Sequence, residues 1–141
     1  WVLGQASPFA ESPLESNVRR IAFALGHSDV EAQLEVATDE GMKWCDIGVA
    51  RVKTVWESNG EVKYVGEDGP ANLLREARRR QALERSGYRV VDLTSAQSWD
   101  TAHLAASLAT HAPHALRQPV VGLLTRAERL RLFGDSRIRR I

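Results

Sequence analysis

Two β-rich runs set almost back to back constrain this chain more than any other feature. Trp44 to Val49 and Val52 to Glu57 are separated only by Ala50 and Arg51. A link that short forces antiparallel pairing as a hairpin. A tight turn at Ala50-Arg51 pairs Val49 with Val52, Ile47 with Thr54 and Asp46 with Val55. Opposed residues share a sheet face. One face then carries Cys45, Ile47, Val49, Val52, Thr54 and Trp56, nearly all apolar and bound to pack on a core. The other carries Trp44, Asp46, Gly48, Lys53, Val55 and Glu57. In this register Glu57 lies diagonal to Asp46, about 7–8 Å away and within reach of long side chains.

The surrounding chain supplies helices. Ser12-Pro13-Leu14-Glu15 reads as a helix start, with Ser12 capping, Pro13 at the first helical position and Glu15 closing a capping box. Leu14, Val18, Ile21 and Leu25 then form one apolar stripe, stopped at Gly26. Gln33 to Thr38 alternates as a strand and Asp39-Glu40-Gly41 is a turn. Asn59-Gly60 turns the chain again, and Glu61 to Val65 is a short third run. A helix is expected from Ala71 to Ser86, a strand from Tyr88 to Leu93, an Ala-rich helix from Ser95 to His111, and an amphipathic helical segment from Leu123 to Leu132. Strands in a meander between helices give an α/β (α+β) fold with a mixed central sheet flanked by helices.

Composition narrows the class. The chain has 141 residues with 43% hydrophobic and 26% charged content, enough to bury a core of its own. With 19 Lys plus Arg against 18 Asp plus Glu it is not generally polybasic. The charge is uneven, however: residues 115–141 hold seven arginines against two acids, over a net acidic body. The expected organisation is a domain over 1–114 and a basic tail over 115–141 with a short helix. A single cysteine, Cys45, excludes a disulfide framework or a Cys-rich zinc module, and its place on the apolar face makes it a buried, inert thiol. Pro113 between His111 and His114 keeps His103, His111 and His114 off a common helical face, and their spacing is no common zinc pattern. No apolar run reaches the roughly 18 residues of a membrane span, and no secretory signal opens the chain. A cytoplasmic protein with no membrane partner is the expectation.

Asp46 and Glu57 are the acids best placed for chemistry. Magnesium is commonly held by one or two carboxylates, with water and substrate phosphate completing its shell. It neutralises phosphate charge and generates a hydroxide nucleophile, and a nearby lysine, Lys53 or Lys63, would assist. Two acids beside a hairpin are, on their own, also what a solvated sheet face looks like.

The run from Asp46 through Glu57-Ser58-Asn59-Gly60 to Lys63-Tyr64 resembles the core of the very-short-patch-repair-like nuclease domains. These belong to the PD-(D/E)XK, restriction-endonuclease-like superfamily. Their actinobacterial form reads roughly Asp, about ten residues, then Glu-x-Asp-Gly-x-x-Lys-Tyr. Arg78-Arg79-Arg80-Gln81-Ala82-Leu83 followed by Gly87-Tyr88-Arg89-Val90-Val91 is similar to the family's Arg-rich helix and Gly-Tyr-x-Val-Val strand. Glu11 to Glu15 with Arg19 is similar to its first helix. The resemblance spans about residues 11–95. It implies a restriction-endonuclease-like core and a metal-dependent DNA endonuclease using Mg2+ or Mn2+. Asp46 and Glu57 would be the metal carboxylates, Glu15 a supporting acid, and Lys63 the group near the attacking water. Arg75, Arg78, Arg79 and Arg80 would contact DNA phosphates. Asn59 departs from the family's aspartate. An amide oxygen still ligates a hard cation but brings no charge, so a catalytically degenerate nucleic-acid-binding module is the alternative. In many relatives such a domain follows a winged-helix segment resembling antitoxins or repressors. A chain that opens at Trp1 without Met fits an upstream segment of that kind.

Overall fold

The computed structural model describes residues 12–58, 69–113 and 117–138. The third run at 61–65, Asn59, Lys63 and His114 lie outside them. Helix α1 (Pro13–Ala24) starts as its sequence dictates: Ser12 Oγ accepts from the Glu15 N–H at 3.1 Å, and the Glu15 carboxylate accepts from the Ser12 N–H at 3.3 Å. Gly26, at φ 96°, turns the chain out of the helix.

Four strands follow: β1 (Glu31–Thr38), β2 (Gly41–Val49), β3 (Thr54–Ser58) and, beyond helix α2 (Gly69–Arg85), β4 (Arg89–Leu93). They lie in the order β1-β2-β3-β4, antiparallel at the first two joints and parallel at β3/β4. Parallel neighbours need a long crossover, and the stretch carrying α2 provides it. The result is the mixed sheet flanked by helices that the element pattern predicts.

The expected Ala-rich helix is two helices, α3 (Ser95–Ser98) and α4 (Thr101–His111). Asp100 breaks it by capping α4, accepting from the Ala102 and His103 N–H groups. Helix α5 (Arg126–Ile138) ends the described chain, with a non-helical kink at Gly134.

Two cores sandwich the sheet. On one face Val18, Ile21 and Ala22 of α1 and Leu104 and Leu108 of α4 meet Ile47, Val49, Trp56 and Leu93. On the other, Leu83 of α2 meets Leu34, Val36, Cys45, Val55 and Val90. Within the segment expected as a basic tail, Leu124 is buried in the first core, and Leu132 and Phe133 pack against it. Arg20 of α1 fixes this segment, donating to both carboxylate oxygens of Glu128 at 2.7 and 3.0 Å and to the Leu123 carbonyl at 2.8 Å.

Candidate functional site

The hairpin carrying Asp46 and Glu57 has a longer turn than the sequence suggests. Ala50–Val52 form a 3-10 turn and Lys53 follows at φ 47°, in the left-handed region. The extra residues shift the register, so Ile47 faces Trp56, Gly48 faces Val55 and Val49 faces Thr54. Continued by one step, this places Asp46 opposite Glu57 rather than opposite Val55. The two acids are therefore closer along the strands than expected. The Asp46 N–H lies 3.5 Å from Glu57 Oε2. The Ser58 N–H donates to Asp46 Oδ2 at 3.0 Å.

Face alternation also breaks at this level. Cys45 sits in the α2-side core with Val55, whereas Ile47 sits in the α1-side core with Trp56. The expected single apolar face with Cys45 beside Ile47 is thus corrected: the pleat is interrupted between them, at Asp46. The facing strand is irregular at the same level, where Gln33 adopts φ 53° between the paired residues Ala32 and Leu34. A non-glycine residue there carries a strain of about 1–2 kcal/mol. The Gln33 amide in return donates to both oxygens of Glu15, at 3.2 and 3.3 Å. Glu15 is buried and lines, with Asp46, Val18, Trp56 and Ser98, a small crevice on the α1 side.

Glu57 opens elsewhere. It lines a crevice on the α2 side with Glu76, Arg79, Arg80, Val90 and Asp92. Arg79 donates to Glu57 Oε1 with Nη1 and to the Trp44 carbonyl with Nη2. Glu57 is buried, and desolvation pushes its carboxyl up to about 7. The Arg79 charge pulls it back, and the nearby negative Asp46 adds to the rise. Cys45 beside this pair is buried and its thiol is pushed up to about 12, mainly by desolvation, so it is not a nucleophile.

One oxygen of each acid is committed, Glu57 Oε1 to Arg79 and Asp46 Oδ2 to Ser58, and the two carboxylates line different crevices. Among the described residues no group of three or more His, Cys, Asp or Glu gathers as a metal site. An ion taken up by Glu57 Oε1 would have to displace Arg79. Stripping one partner from a buried ion pair costs about 3–5 kcal/mol.

The arginine block divides. Arg79 turns inward, while Arg80 is paired at the surface: it donates to Asp92 at 2.6 Å, to Glu84 at 3.2 Å and to the Val90 carbonyl at 3.0 Å. Arg75 and Arg78 are exposed, and no ion pair joins either to an acid among the described residues. Sequence reasoning missed Arg79 as the partner of Glu57. The signal was present, because Arg79 stands three and four positions before the buried Ala82 and Leu83 and so shares their face. Lys53 lies at the opposite end of β3 from Glu57 and takes no part in this site. Among the described residues no helix is long and apolar enough to cross a membrane. Comparison with family models, with curated proteins and with solved structures found no match.

Proposed function

We propose that this chain is a nucleic-acid-binding module of the nuclease-like kind, with phosphodiester hydrolysis lost or strongly reduced. The observation that carries the reading is the Glu57–Arg79 ion pair: the acid that the resemblance assigns to a metal already has an internal counter-cation. The resemblance supplies the nucleic-acid partner, and Arg75 and Arg78 of α2, both exposed and the first donating to the Asn72 amide oxygen, supply cations that face solvent, where a phosphate backbone would meet them. Such contacts position a duplex without reading its sequence.

A second reading, the Mg2+- or Mn2+-dependent DNA endonuclease, draws on a different observation. Asp46 and Glu57 are close enough for the charge of one to raise the pKa of the other, and a cation would relieve that excess. Fluorescence anisotropy with a labelled duplex, run beside a supercoiled-plasmid assay in Mg2+ and Mn2+, separates the two. The module binds with affinity that falls steeply as salt rises, and leaves the plasmid intact. Arg75→Gln/Arg78→Gln lowers the slope of log affinity against log salt by about 2. Metal-dependent nicking that disappears in Asp46→Ala would overturn the module in favour of the endonuclease. Absence of salt-dependent binding would overturn both.

A further inference from the structure

A second cluster of charge lies at the other end of the β3/β4 pair. Lys53 precedes β3 and Arg89 opens β4, with Thr54 and Arg89 paired across the strands. Glu57 is three residues further along β3, about 10 Å away. Lys53, Arg89 and His111 line one open cleft with Gly87, Thr54 and Glu84. Lys53 and Arg89 are both exposed, and no acid pairs with either among the described residues. Glu84, the acid on the rim, is engaged by Arg80.

Three features make this more than a solvated pair of cations. Lys53 occupies a left-handed backbone position at φ 47°, where glycine or asparagine is the unstrained choice. Its side chain lies over Gly87, with Nζ 3.5 Å and Cδ 3.6 Å from where a Cβ would stand, an ordinary contact distance. Arg89 is aimed: its Nη1 lies 3.0 Å from His111 Nδ1. A guanidinium has only donors, so Nδ1 is the accepting nitrogen and the imidazole is neutral with its proton on Nε2. Burial and the Arg89 charge hold the His111 pKa below its ordinary value, in keeping with that form. Trp56 meets the same ring edge-on.

We infer that this cleft is an oxyanion site for a phosphate group, with Lys53 and Arg89 as its charged donors and His111 orienting Arg89. Lys53 and Arg89 line the same cleft with no acid paired to either among the described residues, and a phosphate seated there would satisfy both through charge-assisted hydrogen bonds. The site is separate from the acidic crevices and stands whether or not the chain binds nucleic acid through α2.

The test is titration of the whole chain with inorganic phosphate at low ionic strength, read by calorimetry and by amide NMR shifts. The expected result is one phosphate per chain, with shifts at Lys53 and at 87–89. Lys53→Asn/Arg89→Gln, whose asparagine tolerates the left-handed backbone, weakens the affinity by at least about tenfold. Lys53→Gly alone relieves the backbone, melts no lower than wild type and still loses affinity. Competition by an oligonucleotide lacking terminal phosphates assigns the site to backbone diesters, and failure to compete assigns it to a free or terminal phosphate. Either result supports the oxyanion site. Phosphate affinity unchanged in a folded Lys53→Gly or double variant overturns it, as does an absence of shifts at these residues.

Discussion

Gly48 leaves room for the Leu34 side chain of β1 to lie across β2. A Cβ there would overlap Leu34 Cδ2 and approach Val55 Cγ1 to 3.1 Å, both inside the α2-side core. Gly48→Ala is therefore expected to destabilise by about 1–3 kcal/mol through overpacking, measured by urea denaturation, with the m-value unchanged. Glu57 gives a prediction of a different kind. Its folded pKa is raised to about 7 from an ordinary 4.5, so its contribution to stability is full below pH 4.5 and is lost as pH rises through 7. The loss is up to about 3 kcal/mol between pH 5 and 8, and Glu57→Gln should flatten that part of the stability–pH curve. Both residues could be singled out in the sequence, but their surroundings could not. Glu57 stood out as an acid in a β-rich run, yet its pairing with Arg79 depends on α2 folding back across the sheet. No local pattern in the strand encodes that.

At the scale of elements, starts and stops were more legible than turns. Ser12, Pro13 and Glu15 announce α1, and Gly26 ends it. These signals act over three or four residues and need nothing distant. The hairpin register was misread because a two-residue turn was expected where the chain uses a 3-10 turn and a left-handed Lys53. Lysine carries no sequence signal for that backbone conformation, as glycine would. The arginines of the segment after residue 115 say nothing of how it docks. Its docking comes instead from Leu124, Leu132 and Phe133 and from Arg20 gripping Glu128. The Arg20 guanidinium holds the Glu128 carboxyl at about 2, well below its ordinary 4.5. That lowered pKa stabilises the docked segment above pH 4.5, and the effect is lost as pH falls toward 2. Water screens this partly exposed pair, so Glu128→Gln should cost about 1 kcal/mol at neutral pH. Hydrogen exchange in α5 should rise in that variant and, in wild type, as the buffer is taken from pH 5 to pH 3, after correction for the intrinsic rate. Equal corrected protection across that range would mean that the ion pair does not hold α5.

For the whole molecule, the proposal of binding without cutting rests on the arrangement of charge. The resemblance assigns Asp46, Glu57 and Glu15 to one metal-dependent site. The fold instead spreads them between two crevices and gives each an internal partner: Ser58, Arg79 and Gln33. Outward-facing cations lie at Arg75 and Arg78 on α2 and at Lys53 and Arg89 in the cleft beside His111. Calorimetric titration of the intact chain with Mg2+ at pH 8, where Glu57 is ionised, tests the central claim most directly. With Arg79 holding Glu57, the account predicts no saturable binding at submillimolar Mg2+, and the same flat titration for Asp46→Ala. Saturable submillimolar binding that vanishes in both Asp46→Ala and Glu57→Gln would contradict it, because the two carboxylates would then share an ion despite Arg79.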